Sequence, residues 1–134
     1  MTKKQGFFQI TLDGKKYTGH ISMTCLYLIT DLKKVGLEKI GEILSQTADA
    51  KNFSDIVFCA LRAYCLAPPQ GQAAREPDFD NEWAFFNLMG ENKVFEDTAF
   101  VTEFTTALVE SKIFQNDDNM GLPRKARKTT KNPK

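Results

Sequence analysis

The chain is poor in the residues that carry out chemistry. It has one histidine, His20, and three cysteines, Cys25, Cys59 and Cys65, with no CxxC pair. An odd cysteine count without paired spacing argues against a disulfide framework and fits reduced thiols in a cytoplasm. There is no GxSxG, GxxxxGKS/T, HExxH or GxGxxG, so the common hydrolase, phosphate-binding, metalloprotease and dinucleotide motifs have no foothold. No apolar run approaches the ~20 residues of a membrane span. The opening Met1-Thr2-Lys3-Lys4-Gln5-Gly6 leads straight into an alternating segment, without the apolar core of a signal peptide. The expectation is a soluble, intracellular protein.

What is present suits a single domain. At 134 residues a folded chain buries roughly 70% of the surface its unfolded form exposes, enough for a core without metal or disulfide staples. With 42% hydrophobic and 26% charged residues, the composition is globular. The net charge of +1 hides an asymmetry: Met120 to Lys134 holds six basic residues and no acid, leaving 12 basic and 17 acidic side chains in residues 1–119. An acidic body is a poor platform for nucleic acid, whose binding rests first on neutralising phosphates.

The fold class expected is α+β, mostly α. Residues 7–21 read as a β-hairpin: Phe8, Ile10 and Leu12 alternate with polar residues, Asp13-Gly14 turns, and Lys15 to Ile21 returns. With a two- or four-residue loop, Tyr17, Gly19 and Ile21 share the apolar face. Residues 22–114 read as four to five helices. The first carries Leu26, Ile29, Leu32 and Val35 between a Thr24 cap and Gly36; a short second carries Leu37, Ile40, Ile43 and Leu44. The third starts at a Ser54 cap with Phe53 stapled to Phe58, carries Val57, Leu61, Tyr64 and Cys65, and stops before Pro68-Pro69. After a mobile loop at 67–80, Asp80 or Asn81 caps an aromatic helix from Glu82 to Met89, stopped by Gly90. A last helix runs from about Asp97 to Ser111. The globular domain is thus residues 1–114, and residues 115–134 form a flexible basic tail.

Candidate chemistry is sparse. His20 falls on the strand face opposite the apolar one, where a solvent-facing role is expected. Three cysteines and a histidine make a zinc set by type but not by spacing, since Cys59 and Cys65 lie six apart on a helix. Glu76, Asp78, Asp80 and Glu82 lack the glycine and closing glutamate of an EF-hand. No catalytic residue, metal or cofactor is expected. The candidate partner-binding set is Phe100, Phe104 and Leu108 in one row of the last helix, with Phe95 and Val101 beside it. The row reads either as core or as a groove for an amphipathic helix, covered and uncovered by the 67–80 loop.

The order of elements carries a resemblance. The strand pair Ile10-Thr11-Leu12-Asp13-Gly14-Lys15-Lys16-Tyr17-Thr18 leads into a helix from Thr24 to Lys34, then Val35-Gly36-Leu37, Ile40 to Leu44, and a helix from Ser54 to Leu66. Over approximately residues 8–112 this resembles the tail assembly chaperones of long-tailed, siphophage-type bacteriophages and gene-transfer-agent particles; the aromatic helix around Trp83 departs from that pattern. The resemblance implies a non-enzymatic factor of the host cytoplasm, absent from the mature virion. It would self-associate, bind and solubilise the tape measure protein, and give way as tail tube protein polymerises. A head–tail connector or tail terminator subunit is the competing structural reading. A small helical nucleic-acid-binding regulator is the third, opposed by the lack of a basic helix face.

Overall fold

The alternation around Asp13-Gly14 closes into an antiparallel hairpin. In the computed structural model, which describes residues 6–111, β1 (Phe7–Leu12) pairs with β2 (Lys15–His20) in the register Phe8↔Gly19, Ile10↔Tyr17 and Leu12↔Lys15. The loop is therefore the two-residue one. Asp13 (φ 52°) and Gly14 (φ 81°) both take left-handed backbone, the pattern whose twist matches paired strands. Phe8, Ile10, Leu12, Gly19 and Ile21 are buried together, with Tyr17 half-buried beside them. Gly19 is required here for lack of a side chain: a Cβ would lie 2.3 Å from the Phe8 ring, which crosses over it.

The helices follow in chain order: α1 (Met23–Lys33), a 3₁₀ turn (Leu37–Lys39) running into α2 (Ile40–Leu44), α3 (Ala50–Leu66), α4 (Glu82–Glu91), a 3₁₀ turn (Val94–Glu96) and α5 (Thr98–Glu110). A hairpin with five helices matches the expected class. Two starts differ from expectation. Ser22, not Thr24, caps α1, its hydroxyl accepting from the Cys25 N–H, because Ile21 N–H closes the last hairpin bond to Gly6 and the chain turns at once. The same helix ends at left-handed Lys34 (φ 60°), before Gly36 is reached. Helix α3 begins at an Asp49 cap, a turn earlier than Ser54, and the Asn52 amide ties the preceding loop by donating to the Ile43 and Gln46 carbonyls. Ser54 and Asp55 thus lie inside the helix, both buried. Of the two caps offered for the aromatic helix, Asn81 is the one used, accepting from Trp83 and Ala84 N–H, and the last helix starts where expected, with Asp97 accepting from Phe100 N–H. Gly90 does not stop α4, which runs on to Glu91.

Helix α3 is buried nearly all round, including its Asn52, Ser54 and Asp55, which makes it the central element. Against it pack α1, α4 and β2, while α5 lies along β1. An isolated hairpin is marginal in water, and here the β1 edge and the turn are both tied to helices. On the β1 side the Gln9 N–H donates to the Glu103 carboxylate at 3.1 Å. The turn is clipped to the end of α4, Asn92 accepting from Asp13 N–H at 2.8 Å and donating back to the Asp13 carboxylate.

The 67–80 segment, expected to move, is tied down. Arg75 N–H donates to the Cys65 carbonyl, Arg62 donates to the Phe79 carbonyl, and Arg75 pairs with Asp78. The Phe79 ring sits 5.0 Å from those of both Tyr17 and Phe85. The basic tail at 115–134 and the domain edge at Phe114 lie outside the described residues.

Candidate protein-binding surface

His20 does not face solvent freely. Its ring stacks on Phe7, its partner across the hairpin, at 3.8 Å and 7°, and Phe7 meets Tyr64 of α3 edge-on. Burial holds the imidazole below its ordinary pKa, and Nδ1 is buried with no hydrogen-bond partner. All three thiols are buried. Burial pushes Cys25 up to about 12 and raises Cys59 and Cys65, so the nucleophilic thiolate is disfavoured at each. Among the described residues no group of three His, Cys, Asp or Glu side chains converges on a metal position, and no helix is long and apolar enough to cross a membrane.

The row on α5 is split between core and rim. Phe104 is fully buried and Phe100 nearly so; Phe95, Val101 and Leu108 are half-buried. Phe104 meets Phe8 at 5.2 Å and Phe53 at 5.1 Å, both edge-on, and tilts against Phe100. The reason is the hairpin: Phe8 needs an apolar cover, and α5 is the helix lying along its strand. Phe100 and Phe104 therefore stand in the core, the first of the two readings of the row.

Exposed apolar side chains occur on several elements, among them Tyr27 and Val109, and on α4 one of them belongs to a chain of rings. Phe85 and Met89 point into the core, which turns Trp83 outward with 59% of its surface exposed and leaves Phe86 half-buried beside it. Trp83 meets Phe86 at 6.3 Å, Phe86 meets Phe95 at 5.8 Å, and Phe95 meets Phe53 at 6.1 Å, so the ring chain runs from surface to core. Of the expected row, only Phe95 belongs to this cluster.

An ion-pair network holds the outer end of the chain. Lys51 Nζ lies 3.7 Å from the centre of the Trp83 ring while donating to the Asp55 carboxylate at 2.9 Å. Lys33 donates to the same carboxylate at 2.8 Å. Asp55 is 4% exposed and its two lysines 24% each. One buried negative charge thus fixes an ammonium against an exposed indole, and cation–π attraction of ~0.5–2 kcal/mol lowers the freedom Trp83 would lose on binding. Sequence reasoning missed this. The signal available was the i, i+3 pair Trp83 and Phe86 behind a strong Asn81 cap, but the Lys51 and Asp55 contacts come from a distant helix.

A concavity of about 600 Å³ lies where β1, the end of α3 and α5 meet, bordered by Phe7, Thr18, Tyr64, Pro69, Glu103 and Glu110. Among its described lining residues the charged ones are both acidic.

Comparison with known protein families, with characterised proteins and with solved structures finds no match to this chain.

Proposed function

We propose that this protein is a non-enzymatic assembly factor: a tail assembly chaperone of a long-tailed bacteriophage or related particle. In this reading it binds the tape measure protein and keeps it soluble until tail tube subunits polymerise around it. The observation that supports a partner-binding role most is the exposed, charge-anchored Trp83 contiguous with Phe86 and Phe95, on the helix that departs from the family pattern. Tryptophan is enriched among residues that dominate binding energy, and a ring already held in place gives up little entropy when covered. A long helical partner would lay an amphipathic stripe across this cluster, its apolar residues meeting Trp83, Phe86 and Phe95. The order of elements, a hairpin leading into a first helix and then a buried central one, supports the same assignment.

The role places the protein in the host cytoplasm, in several copies per partner, and outside the finished particle. The test is co-expression of the full chain with the long helical protein encoded beside it. Soluble partner is expected with the wild-type chain and aggregated partner with Trp83→Ala/Phe86→Ala, the variant melting like wild type. Mass spectrometry of purified particles separates the rival: recovery of the chain in ring stoichiometry marks a connector and overturns the chaperone.

A further inference from the structure

The outer face of α4 specifies the partner's chemistry, resting on the reading of Trp83 as a binding surface proposed above. Trp83, Phe86, Asn87 and Gly90 follow the i, i+3, i+4, i+7 pattern, one stripe rising about 10.5 Å from end to end. Trp83, Asn87 and Gly90 are exposed and Phe86 is half-buried, so the stripe faces outward.

Gly90 closes the stripe without a reason inside the molecule. Its backbone is helical, the left-handed residue after α4 being Lys93, and a Cβ built on it would meet nothing within 4 Å. Glycine is a poor helix former, and neither a turn nor a packed neighbour requires it here. The missing side chain leaves a flat place, two turns from a protruding indole, where another backbone can come close.

Charge selects the occupant. From Glu76 to Asp97 there are seven acidic residues and one basic, Lys93. Of the cations nearby, Arg75 pairs with Asp78, and Lys51 and Lys33 share Asp55. Asp80 and Glu91 form no ion pair with another described residue. They border a cleft of about 330 Å³ with Phe79, Ala84 and Leu88 in its wall, and Asn87 is shared by cleft and stripe. Apolar walls beside carboxylates suit a lysine or arginine, whose stem packs while its head reaches the acids. A second copy would bring this acidic surface against itself, and nucleic acid or an anionic bilayer would be repelled.

We propose that α4 docks a basic amphipathic helix. The apolar stripe of that helix covers Trp83 and Phe86, its backbone crosses close at Gly90, and a lysine or arginine on its edge enters the cleft between Asp80 and Glu91.

The test uses the full chain and two tryptophan-free synthetic amphipathic helices of about 18 residues. Both carry the same leucine stripe, with lysine and arginine on the edges of one and glutamate on those of the other. Trp83 emission and calorimetry read binding. The basic peptide is expected to shift the emission to the blue and to bind about tenfold tighter than the acidic one at low salt, an advantage lost in 1 M salt, where screening reaches only ~3 Å. Asp80→Asn/Glu91→Gln is expected to weaken the basic peptide about fivefold, and Glu38→Gln, on the turn before α2, to leave it unchanged. Gly90→Gln is expected to melt no lower than wild type yet to weaken the peptide about tenfold, a split that a structural glycine would not show. Equal binding of both peptides, or no effect of either the paired acid variant or Gly90→Gln, overturns the proposal while leaving Trp83 as a binding surface. A blue shift with chain concentration alone overturns it in favour of a second copy. Binding of neither peptide also overturns it, and co-expression of Trp83→Ala/Phe86→Ala with the partner then decides separately whether the surface reading falls too.

Discussion

Replacing Phe104 by alanine separates a core residue from a binding residue. The ring has no exposed surface and is enclosed by Phe8 from the hairpin, Phe53 from α3 and Phe100 from its own helix. Truncation leaves a void among three rings held by different elements, none of which can collapse into it without moving its backbone. The expected cost is ~3–5 kcal/mol, the range for buried aromatic truncations. At about 4 °C per kcal/mol, where the ranges for smaller and larger domains meet, the melting temperature drops by about 12–20 °C. Urea titration gives the free energy, and an unchanged slope confirms that the variant still unfolds in one step. Phe104→Leu, which keeps most of the apolar volume, is expected to cost less and guards against a variant too unstable to purify. A cost below about 1 kcal/mol for Phe104→Ala would mean that the ring is not enclosed, and would return the α5 row to the list of open binding surfaces.

Asp55→Ala leaves Lys33 and Lys51 without their buried partner and is expected to cost about 2–3 kcal/mol, below the ~3–5 for fully buried pairs because both lysines keep 24% exposure; urea titration measures it. His20 is held neutral by burial, so its folded pKa lies below its unfolded value of about 6.5 and the unfolded chain binds the extra proton. Its contribution to stability is complete above that value and is lost as pH falls through the folded pKa; His20→Gln, compared by thermal melts between pH 7.5 and 5, is expected to flatten this slope. Gly19→Ala sets a methyl 2.3 Å from the Phe8 ring and is expected to cost ~1–3 kcal/mol through overpacking, read from the same melts.

Local chemistry made much of this fold legible. Alternation and Asp13-Gly14 identify the hairpin and its buried face, and the Asn81 cap and the i, i+4 row of α5 place the last two helices. The misplaced starts of α1 and α3 share one cause. Thr24 and Ser54 are good caps by type, but tertiary bonds decide: the Ile21–Gly6 bond brings Ser22 to the turn, and the Asn52 amide fixes Asp49. Alternation puts His20 on the face opposite Phe8, but Phe7 and, behind it, Tyr64 of α3 half-bury the ring there, which no local pattern encodes. The surface cluster was hidden for the same reason. Trp83 gains its anchor from Lys51 and Asp55, some thirty residues away, and Phe95 joins it through Phe86 rather than through α5.

The central claim, that Trp83 heads a partner-binding surface, can be tested on the unmodified protein because Trp83 is its only tryptophan. At 59% exposure its emission reports solvent directly. Titrating the full chain with a helical segment of the proposed partner, a tape measure protein, is expected to shift that emission to the blue, with a saturating isotherm that Phe86→Ala weakens. Saturable binding of the same segment, seen by calorimetry, with Trp83 emission unchanged would contradict the claim and place the contact elsewhere on the molecule.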